Sequence, residues 1–324
     1  KFAMDIHKGM EINEKRQLTI SGFDTVKLKK QYGTPLYVID ENMVRQNAKS
    51  FKTAMDKYFT NGRVMFASKA LNNKAILKIV ASEGLGIDTV SGGELYTALS
   101  AGIDPKRIEL HGNSKTEEEI IMAVENQIYC IIADGFDELE LIENVCKKLN
   151  KKINVSIRIR PNIDVHAHQA VQTAKMDCKF GFGLFDGQAI KAAEIISNSD
   201  FMRLHGVHCH IGSQIFDEAP FKELCRHIVD FANDVRTKLS VELKEFNFGG
   251  GFGVWYNEED TPKPFEVFIK LISENVNKMC GEINYPLPIV TIEPGRSIVG
   301  EAGTTIYNVN GIMNCSSQRR NMPN

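Results

Sequence analysis

Between residues 63 and 296, short apolar runs alternate with longer stretches of helical period. Eight runs predict strands, at 64–69, 86–90, 107–111, 128–133, 154–160, 204–211, 244–248 and 289–293. Most are apolar on successive positions, the pattern of parallel strands covered by helices. Between them, Leu139, Ile142, Cys146 and Leu149 form one stripe, and Phe265, Phe268, Ile272, Val276 and Met279 form another. These stripes predict amphipathic helices over 134–152 and 261–282. Ser91 with Glu94, and Ser114 with Glu117, have the spacing of capping boxes at strand-to-helix handovers. Eight such units closing on themselves predict an α/β fold of the TIM (β/α)8 barrel type, with a doubly wound open sheet as the alternative.

The ends of the chain break that rhythm. Runs at 18–20 and 36–39 predict separate strands ahead of a first helix near 43–58, and 303–309 starts another strand. The barrel is therefore expected at 41–297, with 1–40 and 298–324 outside it. The 324 residues suit a barrel plus a smaller piece.

Composition narrows the classes. Hydrophobic residues at 43% and charged residues at 25% exclude a disordered chain. The 39 basic residues nearly balance the 41 acidic ones, which argues against nucleic acid or an anionic membrane as partner. No apolar run approaches the ~20 residues of a membrane span. Seven cysteines, an odd number without a CxxC, argue against a disulfide framework and for a reducing cytoplasm. The start, Lys1-Phe-Ala-Met, has no signal-peptide core.

Chemistry in such a barrel sits at the C-terminal ends of the strands. Those ends collect Lys69, Asp88, His111 with Asn113, Arg160, His210 with Ser213, the glycines 249–251, and Glu293 with Arg296. Lys69 closes an apolar strand, where desolvation would favour its nucleophilic amine; a lysine reaching back to solvent is the plainer reading. Phe248-Gly249-Gly250-Gly251-Phe252-Gly253 could cradle a phosphate on backbone N–H groups, or be a flexible turn. It fails as a dinucleotide fingerprint, because no helix opens directly after it. His208-Cys209-His210 puts two imidazoles on one face of a strand, and His166-Ala167-His168 repeats the spacing, so a metal-dependent hydrolase is a rival. No acidic cluster accompanies either pair, and no metal ligands are assigned. Glu293-Pro294-Gly295-Arg296 offers either a simple ion pair or two separate binding groups, for a cationic ring nitrogen and for a phosphate or carboxylate.

Taken in order, Phe66-Ala-Ser-Lys-Ala, Asp88-Thr-Val-Ser-Gly-Gly-Glu-Leu, His111-Gly-Asn-Ser-Lys, Lys179-Phe-Gly, His208-Cys-His-Ile-Gly-Ser-Gln-Ile, Phe248-Gly-Gly-Gly-Phe-Gly and Glu293-Pro-Gly-Arg-Ser resemble the fold-type III pyridoxal-phosphate-dependent decarboxylases. The resemblance spans about residues 20–310 and implies an alanine racemase-like barrel. It implies a Schiff base between Lys69 and pyridoxal 5'-phosphate, His210 stacked on the ring, and Asp88 as polar support near that bond. Ser213, Gly250, Gly251, Pro294, Gly295 and Arg296 would hold the phosphate, and Arg296 would also serve a substrate carboxylate. Glu293 would face the pyridine nitrogen, where alanine racemases carry an arginine, and so favour decarboxylation over racemisation.

The wording is closest to members acting on meso-2,6-diaminopimelate to give L-lysine. Decarboxylases of other basic amino acids or of carboxynorspermidine, and a pyridoxal-phosphate-binding barrel without turnover, stand behind that reading. The family pairs two chains around shared sites, so a homodimer is implied, with a small amino acid as the other partner. Family members continue into a β-rich domain with a Cys-x-x-x-Asp block and a later tyrosine. The resemblance thus implies that 1–40 are N-terminal strands of a β domain and 298–324 the start of a C-terminal β domain, truncated or divergent. Cys315-Ser-Ser-Gln-Arg does not match that block, and no tyrosine follows Tyr307.

Overall fold

The computed structural model describes residues 8–163 and 180–312. Eight parallel strands form its centre: β1 (Gly62–Ala67), β2 (Gly86–Thr89), β3 (Ile108–Leu110), β4 (Cys130–Ala133), β5 (Ile153–Arg160), β6 (Met202–His208), β7 (Glu245–Asn247) and β8 (Ile289–Ile292). Each pairs with the next, and β8 returns to β1 with Val290 opposite Gly62 and Ile292 opposite Val64. The sheet is therefore a closed barrel, and the open doubly wound alternative is excluded. A two-residue strand, Phe182–Gly183, adds to the far end of β5 and was not predicted.

Helices alternate with the strands: α1 (Glu41–Tyr58), α2 (Lys74–Ser82), α3 (Gly92–Ser100), α4 (Glu117–Glu125), α5 (Phe136–Leu149), α6 (Gln188–Ser197), α7 (Ala219–Leu239) and α8 (Phe265–Glu282). The expected start of α8 at 261 is too early, because Pro262 and Pro264 precede it and cannot donate to a helix ladder. Ser91 caps α3 as expected, accepting from the Glu94 N–H, but the Glu94 carboxylate turns to the Ser68 hydroxyl (2.7 Å) and the Val90 N–H (2.9 Å). The second capping box lies two residues later than predicted. Thr116 and Glu119 form it, while Ser114 sits in a left-handed turn at φ 56°.

That shift has a cause next door. Lys115 points inward, and its ammonium donates to the carbonyls of Gly112 (2.6 Å) and Ile132 (2.8 Å) and to Glu138 (2.8 Å). All three of its donors are used, which makes a buried lysine tolerable. Between the barrel and its helices, Phe51, Phe221, Phe252, Phe265 and Phe268 pack ring to ring at centroid distances of 4.1–6.4 Å. Phe252 belongs to the glycine-rich segment, so that segment is anchored in the core.

The chain divides into two compact units, 41–302 and 1–40 with 303–324. In the second unit, Leu36–Ile39 pairs antiparallel with Gly303–Ile306. Met10–Ile12, Leu18–Ile20 and Phe23–Asp24 form a small antiparallel sheet. A helix at Thr25–Tyr32 buries no residue, which explains why it carries no apolar stripe to read.

Candidate active site

Lys69, His111, His210 and Glu293 each lie one or two residues beyond the end of a barrel strand, where side chains clear the ladder and meet. The C-terminal rim frames a cavity of about 510 Å³, within the usual range for small-molecule sites. Lys69, Asp88, His111, His210, Ser213, Gly251, Glu293, Gly295 and Arg296 line it. Gly250 and Pro294 support it from behind: the Gly250 N–H donates to His210 Nδ1 (3.3 Å), and the Pro294 carbonyl accepts from the Ala67 N–H (3.2 Å). Asn113 and Arg160 do not line it. Arg160 overshoots on the eight-residue β5 and donates to the Gly181 carbonyl, and Arg158 takes the lining position.

Glu293, one of the cavity-lining residues, is held by three side chains. It is 6% exposed, and its Oε1 accepts from His111 Nε2 (2.8 Å) and Asn247 Nδ2 (2.7 Å), while Oε2 accepts from His208 Nε2 (2.9 Å). Burial opposes its ionisation, but His111, His208 and these hydrogen bonds outweigh burial and hold its pKa well below the carboxylate range. The ion pair with Arg296, one of the two sequence readings, does not form. The residues turn apart, and Arg296 donates to Ser213 Oγ (3.2 Å) and Tyr256 Oη (3.0 Å).

The two histidines of the His-x-His run also part company. His208 faces inward; burial pushes its pKa down to about 4, so it is the neutral tautomer with its proton on Nε2 toward Glu293. Its Nδ1 is buried without a hydrogen-bond partner among the described residues. His210 stands at the rim, half-buried, with Nδ1 accepting from Gly250 and its pKa lowered by burial and by Lys69. The pair therefore does not converge as metal ligands. His111, His208 and Glu293 do bring ligand atoms within 4.8 Å of one another, but as a hydrogen-bonded set. His166, His168, Lys179 and Cys315 lie outside the described residues.

Lys69 departs from one expectation. It sits two residues past β1 in a short 3₁₀ turn, Ser68–Ala70, and is exposed rather than desolvated by its own strand. Asp88, on β2, is buried, and burial raises its pKa to about 6 against the pull of His111. Its Oδ1 has no hydrogen-bond partner among the described residues.

The glycine-rich segment is held, not loose. A Cβ at Gly250 would meet the carbonyl of Glu293, and one at Gly251, where φ is +97°, would meet the carbonyl of Gly212. The backbone N–H groups of Gly251 and Gly295 belong to this segment and to the turn after β8, and both residues line the cavity. Two backbone N–H groups, a serine hydroxyl and a guanidinium suit an anion such as phosphate. A neutral imidazole at the rim, an ionised carboxylate below and a lysine amine at the mouth suit a flat aldehyde-bearing heterocycle. The residues present thus fit pyridoxal phosphate. Asn247, Arg158 and Tyr256 were not singled out from the sequence. An asparagine closing the buried run of β7, just before the glycines, is the signal that could have found Asn247.

Comparisons with known proteins agree with this geometry. Residues 41–300 match the pyridoxal binding domain of the pyridoxal-dependent decarboxylases. The chain is 44% identical over 321 residues to diaminopimelate decarboxylase from Bacillus methanolicus, covering 99% of this chain and 73% of that protein. It is 43% identical over 306 residues to the Bacillus subtilis enzyme of that name, covering 94% of this chain and 70% of that protein. The crystal structure of diaminopimelate decarboxylase from M. jannaschii in complex with L-lysine superposes with a TM-score of 0.83 at 33% identity, over 92% of this chain and 69% of that one. The chain belongs to the diaminopimelate decarboxylase family of pyridoxal-dependent decarboxylases, enzymes with the alanine racemase-like barrel.

Proposed function

We propose that this chain decarboxylates meso-2,6-diaminopimelate to L-lysine, with pyridoxal phosphate bound at Lys69. The observation that carries the reading is Glu293: buried, ionised and hydrogen-bonded at both oxygens on the floor of the rim cavity. A fixed negative charge there favours a protonated ring nitrogen. Bound pyridoxal phosphate supplies the electron sink for the pair left behind when CO2 departs.

The chain's own groups do the rest. The Lys69 amine is the nucleophile that would hold the cofactor through its aldehyde carbon. The Gly251 and Gly295 N–H groups, Ser213 and Arg296 bind the phosphate, and Gly250 and Pro294 keep that cradle in shape. Neutral His210 offers a ring face without a competing charge. Asp88 stands as polar support beside Lys69, and Arg296 is also the candidate for a substrate carboxylate. L-Lysine bound to the M. jannaschii relative is the product this reaction would release.

Two further points belong to the reading: a cytoplasmic setting and a homodimer. Five buried cysteines outside any disulfide among the described residues support the first, and no described helix is long and apolar enough to cross a membrane. The family resemblance supports the second, and light scattering should give twice the chain mass. The division into a barrel at 41–297 with flanking β-domain segments at 1–40 and 298–324 is part of the same reading. The test of activity is CO2 and L-lysine release from meso-diaminopimelate, with L-lysine and L-ornithine as alternative substrates. Release from diaminopimelate alone is expected. Release from the others alone, or cofactor binding with no release, would overturn the assignment.

A further inference from the structure

The carboxylate that faces the cofactor site is the upper member of a column of charged groups running down the inside of the barrel. His111 links its two layers. Its Nε2 lies 2.8 Å from Glu293 Oε1, 3.4 Å from Glu109 Oε2 and 3.7 Å from Asp88 Oδ1, so one N–H faces three carboxylates. Below, Glu109 Oε1 is 3.8 Å from Arg63 Nη1, which is itself 3.6 Å from Glu245.

The other donors to Glu293 are neutral: Asn247 by its chemistry, and His208 by its burial. Among the described residues, His111 is the cation in contact with Glu293. We propose that His111 is a positioning residue for the ring-nitrogen carboxylate: its Nε2–H, backed by Glu109, keeps Glu293 ionised and turned to the cavity. The inference rests on the proposed function, because it concerns the carboxylate that serves the ring nitrogen.

The surroundings of His111 support a lasting charge. Asp88 faces it from β2, Glu109 from its own strand and Glu293 from beyond β8; Asp134, beyond β4, adds a fourth carboxylate. Against these stand neutral His208, whose ring meets it edge-on at 4.7 Å, and Arg158, which acts on His208. Burial works against the charge, but Asp88, Glu293 and Glu109 prevail and push the His111 pKa up to about 10. A neutral donor at the same place would hold the carboxylate by one hydrogen bond without balancing its charge.

Three measurements test this. In cofactor-free protein, ¹⁵N spectra of the eight histidines should show one ring doubly protonated up to about pH 9. Eight neutral rings at pH 8 would overturn the inference. His111→Asn keeps a donor but removes the charge. With pyridoxal phosphate bound, its visible band should shift with pH between about 6 and 9 by clearly more than the wild-type band does. Its kcat should fall about 10- to 100-fold with KM for meso-diaminopimelate within about threefold. Identical spectra and kcat, with cofactor attached to Lys69 in both proteins, would overturn the inference and leave the function standing. No attachment to Lys69 in wild type would overturn the function itself, and the inference with it. Glu109→Gln, which leaves the rim intact, should show the same spectral trend in weaker form, and an unchanged band in a folded Glu109→Gln protein would count against the proposal.

Discussion

Glu293 shows how a single side chain can be read twice. As the last residue of an apolar run it is legible as a rim carboxylate, because a charged group ending a barrel strand has a reason to be there. Its three partners were less legible: all come from other strands or their ends, and pairing across a barrel leaves no spacing in the sequence. Glu293→Gln should lower kcat by about 10² or more while the cofactor still attaches to Lys69, since the amide cannot stabilise a positive ring nitrogen. Steady-state kinetics with borohydride trapping would check it, and near-normal kcat would contradict the role.

Glu109 gives a stability prediction at the same scale. Burial, with Glu245, raises its pKa to about 7 against the pull of its hydrogen bond to His111. A carboxyl whose folded pKa is raised binds its proton more tightly in the native state, so its contribution is full below about pH 4.5 and is lost as pH rises through about 7. Wild type should therefore lose about 2 kcal/mol relative to Glu109→Gln between pH 5 and pH 8. Denaturant melts of both proteins at those two pH values would measure it; a constant difference would contradict the assigned burial.

At the level of elements, the strand-to-helix joints separate what pattern can and cannot supply. The eight strands are legible to within three residues, because each is an apolar run between turn signals. The joint before α4 is displaced because Lys115 and Glu138 pair through the third dimension. Removing one partner leaves a buried charge, so Lys115→Met should cost about 3–5 kcal/mol, and adding Glu138→Leu should recover most of it. Chemical denaturation of the single and double variants checks this, and a double variant as unstable as the single would refute it.

The glycine-rich joint after β7 gives a second case. Its glycines are legible as a phosphate cradle, but the sequence alone could not tell a held loop from a loose one. Phe252 decides it, being 1% exposed and packed against Phe51, Phe221 and Phe268. Phe252→Ala should destabilise the protein by about 3–5 kcal/mol and weaken cofactor binding, since the cradle loses its anchor. Thermal melts with and without pyridoxal phosphate would show both effects, and an unchanged cofactor affinity would separate the loop from the core.

For the molecule as a whole, the barrel and the rim chemistry agree. Sheet closure follows from eight parallel runs in sequence order, and the site follows from closure, which brings strand ends far apart in the chain to one cavity. The layer of Arg63, Glu109 and Glu245 below Glu293 was not anticipated, because charged residues within apolar runs carry no mark of the partners they meet across a barrel. The small unit at the chain ends was only partly legible, since its helix is exposed and lacks an apolar stripe.

The central claim is that this rim binds pyridoxal phosphate through Lys69. The most direct test is the visible spectrum of the protein with added pyridoxal phosphate, before and after borohydride, followed by peptide mapping of wild type and Lys69→Ala. The account predicts a visible band that borohydride abolishes, a reduced adduct on Lys69, and no adduct in Lys69→Ala. An adduct on another lysine, or a covalent bond that survives in Lys69→Ala, would contradict it.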